Sequence, residues 1–454
     1  MNPSSAKALR PQPPRVKGAE AGSGEGRGGR SRLHLAAAIG NGLEWFDFAV
    51  YGYFANDLGR LFFPSDDTTL QLIASFAVFA IGYLMRPVGS LLLGPVGDLV
   101  GRRTMLITSV VVMGGCSLLI GLLPESPAWT PWAGYGLLAL RMLQGLSVGG
   151  EYTGALTVVL ENAEPERRCW RAAVASAGSL VGFVAGAAAA AGIYSLLSPA
   201  QVLAWGWRLP FLAGAGVALL AFWLRRIELP EPAEAAVAGA APAGEAEPHS
   251  GPVALLQALW RERAVVLRVM AALAFADVAF YLVLVFEPQL ALERAPQLAG
   301  GISTITALNQ AIGVALVLLG GWLSDRFSPQ RCMGWGCVAL GVVLLPACLA
   351  MQSGSLPGLA LGQLLAVLPL MLVCGSFPAL LPAQFAARQR CTAFSLAYSL
   401  VVALVGGTAP LLASWMVLER GWGLAPGLYA LLWLPAALWA LQGFRGWERS
   451  SAAG

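Results

Sequence analysis

The chain has 454 residues, of which 57% are hydrophobic and 12% are charged, and its formal net charge is +4. Soluble globular domains contain about 25% charged residues, so this composition excludes a soluble protein and indicates an integral membrane protein. Basic and aromatic residues do not alternate on any face outside the loops, so nucleic-acid binding is not indicated.

Residues 1–32 are rich in Gly, Pro, Ser and basic residues and lack apolar periodicity, which predicts a disordered cytoplasmic tail. Apolar runs long enough to span a membrane then recur to the end of the chain, without the alternating stretches of a membrane barrel. We predict an all-α membrane protein with twelve transmembrane helices in two six-helix halves. The predicted spans are 33–54, 70–93, 104–123, 133–160, 172–197, 209–224, 264–286, 302–323, 332–351, 359–381, 392–418 and 424–442.

One long interruption divides the spans into two bundles, 33–224 and 264–443. Residues 225–263 between them are acidic and rich in Pro and Ala, which predicts a cytoplasmic linker with a short amphipathic helix at its end. Residues 444–454 are expected to be a second cytoplasmic tail. Arginines gather in every second connection, so the positive-inside rule places both termini in the cytoplasm. We expect a multi-pass protein of a cell membrane, in particular a bacterial inner membrane.

Two carboxylates lie in the first span, in the stretch GNGLEWFDFAVYGY. Glu44 and Asp47 are three residues apart and share a helix face. An acid at the centre of a membrane helix costs roughly 2.5–3.5 kcal/mol, whereas one Leu, Ile, Phe or Val returns about 0.3–0.6 kcal/mol. The pair therefore requires a protein interior or a hydrated cavity, and it predicts a polar path through the molecule.

The connection between the second and third spans has the sequence GPVGDLVGRR, from Gly94 to Arg103. Its glycines permit a tight turn, its aspartate is favourable near a helix N-terminus, and its arginines offer forked donors to a neighbouring helix. In this position the sequence resembles the signature loop of the major facilitator superfamily. A shorter copy, GWLSDR, begins at Gly321 between the second and third spans of the other half, as two related six-helix halves predict.

Four further motifs resemble the metabolite:proton symporter family of that superfamily. They are RMLQG from Arg141, GNGLEWFDF in the first span, Arg86-Pro87 in the second, and WGWRLPF before the sixth. The family includes permeases for citrate, α-ketoglutarate, shikimate and proline/betaine. The resemblance implies a monomer in the lipid bilayer, whose halves rock around a central site that binds a small-molecule substrate and protons.

Three acids are the candidates for proton coupling, namely Glu44, Asp47 and Glu151. A carboxylate that alternates between a protonated and an arginine-paired state supplies the change of charge that coupling needs. Helix register places Arg141 at a depth from which it reaches either acid of the first span. An ion pair that only fastens the helices is the alternative. Glu151 alternatively bonds the backbone near the glycines that precede it.

The candidate substrate-binding residues combine charged, aromatic and amide side chains. They are Arg141, Tyr51, Tyr152, Asp277, Tyr281, Asn309, Gln310 and Tyr398. Arg141 is expected to bind a substrate carboxylate with both arms of its guanidinium, or else to pair with an acid of the first span. Asp277 marks a difference in substrate or is a lone satisfied acid, and each aromatic or amide residue alternatively serves packing.

The candidate gating residues lie near the predicted cytoplasmic surface. They are Arg86, Gly94, Asp98, Gly101, Arg102, Arg103, Asp325 and Arg326. Arg86, next to a proline, alternatively has a structural role. Gly178, Gly182 and Gly186 predict a close helix contact, and Pro410 predicts a bend in the eleventh span.

We expect a secondary active transporter that imports a small polar metabolite, an organic acid or a zwitterion, by proton symport. The fifth span lacks the Gly-Pro element that marks antiporters of the superfamily, which favours symport over proton-coupled efflux. A non-transporting membrane sensor is a further alternative, and the short tail after the last span argues against osmosensing. No enzyme, metal site or cofactor is expected, because the chain has two histidines and its seven cysteines lack metal-site spacing.

Overall fold

The computed structural model describes residues 41–100, 102–125, 129–149, 151–228, 260–386 and 390–444, and some of these, including 93–100 and 102–106, by their backbone alone. The first half contains α1 (41–53), α2 (Ala55–Phe62), α3 (Thr68–Val100), α4 (Arg102–Gly121), α5 (Thr130–Ser147), α6 (Glu151–Asn162), α7 (Arg168–Leu196) and α8 (Arg208–Glu228). The second half contains α9 (Arg263–Tyr281), α10 (Glu287–Arg294), α11 (Ala299–Phe327), α12 (Pro329–Met351), α13 (Leu356–Leu380), α14 (Arg390–Val401), α15 (Ala409–Ser414), α16 (Ala425–Leu431) and α17 (Leu434–Gln442).

Over the described residues, these helices form twelve successive segments, and the predicted all-α fold is confirmed. Nine segments are long and apolar enough to cross a membrane by length and composition. The first segment is described only from residue 41 onward. The third segment contains only the shorter apolar helix Ile107–Gly121, and the fourth is divided between α5 and α6. These three boundaries account for the difference between nine and twelve.

Several helices extend beyond the spans predicted from hydrophobicity. α3 continues to Val100 and α4 begins at Arg102, so the backbone of Gly94 and Asp98 is helical and not a tight turn. α11 likewise continues to Phe327, two residues past Asp325. The predicted loops are wrong here because a helix needs only its backbone hydrogen bonds, and charged residues at the membrane surface do not end it.

The sixth segment begins well before the predicted residue 209. Ser198 starts it with a capping box on Gln201, and a π-helical turn, Val202–Gly206, leads into α8. α8 ends at Glu228, inside the stretch predicted to be linker. Most of the predicted amphipathic helix, residues 251–259, lies outside the described residues.

Small residues bring α7 against α1, as the glycine spacing predicts. A Cβ on Gly182 would overlap the carbonyl oxygen of Gly42, and one on Gly186 would lie 2.8 Å from the Cβ of Ala49. Only glycine permits this approach of the two backbones. The contact fixes the first span, with its two acids, inside the first bundle.

The two halves meet along α7 and α11. A Cβ on Gly300 would lie 2.7 Å from the hydroxyl oxygen of Ser195, and one on Gly321 would overlap the Cβ of Ala173. These contacts lie at opposite ends of the helix pair. α7 and α11 therefore form a seam between the halves over most of their length.

The eleventh segment is irregular around its proline. Two π-helical turns, Val402–Gly406 and Trp415–Glu419, flank the short helix α15, which contains Pro410. Proline removes a backbone donor, and π-turns are frequent at functional sites. The first π-turn lies beside the second span, since a Cβ on Gly407 would lie 2.7 Å from the Cβ of Tyr83.

Candidate functional site

Asp47 is the centre of a buried polar cluster in the first half. Its carboxylate accepts hydrogen bonds from the Ser117 hydroxyl, from Gln144 Nε2 at 2.5 Å, and from Arg141 Nη1 at 3.3 Å. The same Nη1 donates to Gln144 Oε1 at 2.9 Å. Asp47, Arg141 and Gln144 are all fully buried. α1, α4 and α5 are thus joined by hydrogen bonds to a carboxylate, which are stronger than neutral ones.

Arg141 contacts Asp47 with one arm of its guanidinium. Its other arm, Nη2, and its Nε have no hydrogen-bond partner among the described residues. The guanidinium carbon lies 4.6 Å from the ring centre of Phe48 and 4.3 Å from that of Tyr51, whose hydroxyl donates to the Ser75 carbonyl. These rings hold the cation in place by cation–π attraction, while two of its donor nitrogens remain unused.

Glu44 pairs with Arg86 of α3, not with Arg141. Helix register predicts that Arg141 reaches either acid of α1, but the structure gives each acid its own arginine. The Arg86 guanidinium lies within 5.2 Å of the ring centres of Trp45, Phe48 and Tyr83. Depth alone did not distinguish the two arginines, because the rotation of α3 around its axis also decides which side chain faces α1.

Asp277 and Tyr281 lie one turn apart on α9 and face the irregular eleventh segment. A Cβ on Gly406 would overlap Asp277 Oδ2 and would lie 3.0 Å from Tyr281 Cδ2. The Tyr281 ring centre is 5.3 Å from that of Tyr83, in the first half. The acid of the seventh span therefore lies beside a second contact between the halves, which α3 makes with α9 and the eleventh segment.

Tyr152 and Tyr398 also meet across the halves, with ring centres 5.1 Å apart. Tyr152 packs against Trp45, the neighbour of Glu44, at 5.8 Å, and its hydroxyl lies 3.1 Å from that of Ser176. An aromatic layer thus connects the charged cluster of the first half with the eleventh segment.

Asn309 and Gln310 lie apart from the charged cluster. Asn309 donates to Gln363 Oε1 at 3.2 Å and to the Ala360 carbonyl at 3.2 Å, both within the second half. Gln310 donates to the Tyr53 hydroxyl of the first half. Although the sequence grouped both amides with Arg141, the structure places them in a hydrogen-bond network nearer one end of the bundle.

An amide clasp, formed by Asn56 and Gln289, joins the halves at the end predicted to be extracellular. Asn56 Nδ2 donates to the Gln289 side-chain oxygen at 2.9 Å and to its carbonyl at 3.0 Å. Gln289 Nε2 donates to the Tyr53 carbonyl at 2.9 Å. Sequence reasoning missed this pair because both residues fall just beyond the predicted spans. Their only signal was an amide next to an apolar run.

Asp325 joins the halves at the opposite end. Its carboxylate accepts hydrogen bonds from the backbone N–H groups of Cys169 at 2.8 Å and Trp170 at 2.9 Å, in the first turn of α7. A negative charge at a helix N-terminus is favourable because the unpaired N–H groups there carry partial positive charge. The neighbouring Arg326 lies over the ring of Trp322, at 5.4 Å from its centre.

Six of the predicted residues cannot be placed in the site. Gly101 lies outside the described residues. Gly94, Asp98, Arg102, Arg103 and Glu151 are described by their backbone alone. In the described part of the chain, no group of three His, Cys, Asp or Glu side chains is arranged to hold a metal ion.

A charged core between two bundles, with contacts joining the halves at both ends, agrees with the comparison of this chain with protein families. Residues 35–301 match the model of the Major Facilitator Superfamily. The chain belongs to this superfamily. The predicted resemblance to its permeases is confirmed, and the protein is a membrane transporter and not an enzyme.

Two bacterial relatives of the superfamily cover most of the chain. The chain is 33% identical to the proline/betaine transporter of Escherichia coli (strain K12) over 403 residues, and this alignment covers 87% of the chain and 80% of the relative. It is 33% identical over 396 residues to the glycine betaine/proline/ectoine/pipecolic acid transporter OusA of Dickeya dadantii (strain 3937), covering 86% and 78%.

Solved structures of the superfamily share the fold. The chain aligns with a D-xylose-proton symporter at a TM-score of 0.72 and 19% identity, covering 92% of this chain and 99% of that one. A partially occluded inward open conformation of the xylose transporter XylE from E. coli also gives 0.72, at 17% identity and the same coverage. At these identities the likeness supports the fold alone.

In this major facilitator protein, nine of the predicted residues form one central group, and Asp325 forms one of the two end contacts. The central group contains Glu44, Asp47, Arg86, Arg141, Tyr51, Tyr152, Asp277, Tyr281 and Tyr398. Ser117 and Gln144 belong to it too, although neither was a candidate. Gln144 had a signal in the sequence, because it follows Arg141 by three residues and so shares its helix face.

Proposed function

We propose that this protein imports a small polar solute with a carboxylate group across a bacterial inner membrane, together with protons. The observation that carries the proposal is the Asp47–Arg141 pair. Asp47 accepts hydrogen bonds from three side chains, whereas Arg141 retains two donor nitrogens without a partner among the described residues. An arginine in this setting is able to exchange one carboxylate for another.

Charge balance then links the solute to the proton. While Arg141 pairs with Asp47, the two charges cancel inside an apolar core. A solute carboxylate that takes over Arg141 leaves Asp47 with neutral donors only, and an isolated buried charge is strongly unfavourable. Asp47 therefore takes up a proton when the solute binds, and releases it when the solute leaves and the pair forms again. Solute and proton move in the same direction.

The two end contacts provide a gate on each side of this centre. Opening one end separates Asn56 from Gln289, and opening the other separates Asp325 from the first turn of α7. Rocking of one half against the other around a midplane site is the way in which such two-bundle transporters alternate access. The described structure holds both contacts at once.

The relatives support the solute class. The two relatives described above carry proline, betaines and related solutes according to their names. Proline and betaines are zwitterions with a carboxylate that Arg141 is suited to bind. We therefore place a zwitterion ahead of an organic dianion as the solute of this protein.

Flux measurements in proteoliposomes test the proposal. With the lumen at pH 7.5 and the outside at pH 6, labelled proline or citrate should accumulate above its external concentration. Accumulation should stop when an uncoupler removes the gradient. Accumulation with acid in the lumen instead would indicate exchange of solute against protons, which is efflux in a cell, and would overturn the proposed direction of coupling.

The matched control for every acid-to-amide variant is Asp66→Asn. Asp66 is an exposed carboxylate in the connection between α2 and α3, so its replacement should leave expression, folding and uptake unchanged.

A further inference from the structure

Asp277 is a charged residue of the centre that the proposed coupling step does not use and that forms no ion pair among the described residues. It lies in the middle of α9, whose neighbouring residues 272–276 and 278–279 are buried, yet it keeps part of its surface accessible. Its Oδ2 is buried and has no hydrogen-bond partner among the described residues. Buried polar atoms in native proteins are almost always hydrogen-bonded, so this oxygen calls for an explanation.

Two phenol oxygens close to Asp277 are likewise buried without a normal hydrogen bond. The hydroxyls of Tyr83 and Tyr281 are buried and interact with each other, but neither makes a hydrogen bond of normal geometry with a described residue. The Tyr281 ring and the Asp277 carboxylate both pack on Gly406. Three acceptor oxygens, contributed by both halves, therefore lie together where α3 meets α9 and the eleventh segment.

The charges of the centre favour a cation at this place. Among the described central residues, Glu44 is balanced by Arg86 and Asp47 by Arg141, which leaves the negative charge of Asp277 without a partner of its own. Arg86 is within electrostatic range of Asp277, but its ion pair is with Glu44. A carboxylate with free lone pairs is the strongest acceptor for a positively charged donor.

The aromatic rings nearby are not arranged to enclose a quaternary ammonium group. Recognition of such groups uses open ring faces. Tyr281 has edge-to-face contacts with Phe79, Tyr83 and Phe280, at ring-centre distances of 6.1, 5.3 and 5.5 Å. Tyr83 has a further one with Phe79 at 5.0 Å. The rings therefore cover one another's faces, and the subsite offers oxygen acceptors to a ligand instead of open ring faces.

We propose that Asp277, Tyr83 and Tyr281 form a subsite for an ammonium group that carries N–H hydrogens, so that primary or secondary ammonium zwitterions bind better than their fully N-methylated betaines. The inference rests on the proposed function, in which Arg141 binds the carboxylate of the same solute. Tyr83 is within electrostatic range of both Arg141 and Asp277, and its ring centre lies 4.5 Å from that of Phe48, which packs against Arg141. The solute then bridges the halves.

An N-methylation series tests this subsite. Binding of proline, N-methylproline and N,N-dimethylproline to the purified full-length protein in detergent is measured by thermal shift and by competition against labelled proline. These ligands carry two, one and no N–H hydrogens with the same ring and carboxylate. We expect affinity to fall about tenfold for each lost N–H, as for the loss of one charge-assisted hydrogen bond.

Two variants connect the effect to the subsite. Asp277→Asn should bring the affinities for the three ligands within about threefold of each other, because proline loses its charged acceptor. Tyr281→Phe, which removes one hydroxyl and keeps the ring, should reduce the preference for proline severalfold and leave the melting temperature of the free protein unchanged. Asp66→Asn should behave as the native chain.

The results that would overturn the subsite are distinct from those that would overturn the proposed function. If N,N-dimethylproline binds as well as proline and accumulates with protons, the subsite is wrong and the symport proposal stands. If citrate raises the melting temperature while no member of the proline series does, the solute is not a zwitterion and the subsite is again wrong. If none of these solutes accumulates under a proton gradient, the proposed function fails.

Discussion

The two halves of the molecule contain different kinds of polar groups in their interiors. The first half buries four charges as two ion pairs, whereas the second half relies mainly on neutral groups. Gln363 accepts from Asn309 at 3.2 Å and donates to Thr306 at 3.3 Å, and Ser324 donates to Ser376 at 2.9 Å. Neutral hydrogen bonds contribute about 0.5–1.5 kcal/mol each, whereas breaking a buried ion pair costs roughly 3–5 kcal/mol.

This difference suggests a division of work between the bundles. A pair of buried charges has few alternatives to its native partner, so a change in its pairing is coupled to the gain or loss of a proton. Neutral amides and hydroxyls exchange partners at small cost, which suits a bundle that adjusts to a solute. Asp277, whose carboxylate has no ion-pair partner among the described residues, lies in the second bundle where that bundle meets α3.

The largest effect should come from removing the charge of Asp47. Asp47→Asn keeps the shape of the side chain but leaves Arg141 as an unpaired buried cation, which should destabilise the folded protein by about 3–5 kcal/mol. Uphill accumulation should be lost while counterflow exchange of solute continues. Both are measured in proteoliposomes, with Asp66→Asn as the control. Uncoupler-sensitive accumulation in the variant would contradict the assignment of the proton to Asp47.

A double-mutant cycle on Glu44 and Arg86 should give the next largest effect. Each single change, Glu44→Gln or Arg86→Gln, leaves the other charge buried and alone, while the double variant removes both. We expect a coupling energy of about 2–3 kcal/mol, at the upper end of the range for residues in contact. Thermal unfolding of the four proteins in detergent measures it. Additive effects would show that the two residues do not form a pair in the native protein.

Gly406→Ala tests the contact between Asp277 and the π-turn Val402–Gly406. The added Cβ would overlap Asp277 Oδ2, so the substitution should cost about 1–3 kcal/mol, as for an overpacked core, and should weaken solute binding. Gly216→Ala is the matched control, since a Cβ there meets nothing within 4 Å. Equal melting temperatures of the two variants would argue against the described position of Asp277.

Arg141→Lys examines the arginine that is expected to exchange partners. The ammonium keeps the charge and loses the planar fork, so affinity for a carboxylate solute should fall about tenfold, equivalent to about 1.4 kcal/mol. The half-saturation concentration for counterflow measures this change. Unchanged affinity would indicate that Arg141 fastens the helices and does not touch the solute.

The smallest effect is expected in the neutral network of the second half. Ser324→Ala removes one hydrogen bond, and Ser376 retains its bond to the Leu372 carbonyl, so the cost should be about 0.5–1.5 kcal/mol. Uptake should remain. A loss of stability as large as that of Asp47→Asn would remove the contrast between the bundles.

The helical segments and a depth from which Arg141 reaches the acids of the first span followed from the sequence, because hydrophobic length and helical rise fix depth in a membrane. The pairing of Asp47 with Arg141 was one of the alternatives left open. The partner of Glu44 did not follow from the sequence, because depth leaves the rotation of each helix undetermined. The clasp of Asn56 and Gln289 was also missed. A window that measures hydrophobicity ends each span before these amides, although the helices continue and bury them.

The ends of the helices and the π-turns could likewise not be predicted from the sequence. Apolar runs stop at Asp325 and near Gly94, but the backbone hydrogen bonds do not. Val402–Gly406 has the same composition as any apolar helix, so only tertiary packing around Asp277 and Tyr83 selects the wider turn. The roles assigned to the site residues remain predictions.

The glycine-lined seam of α7 and α11 has a consequence for motion. At its two ends, Gly300 and Gly321, a single methyl group would collide with the opposite helix, whereas at Gly313 in the middle it would make ordinary contacts at 3.4–3.5 Å. Bulk added at one end would act as a wedge that props that side apart. The same helix pair would thus be biased to face opposite compartments by an alanine at one extremity or at the other.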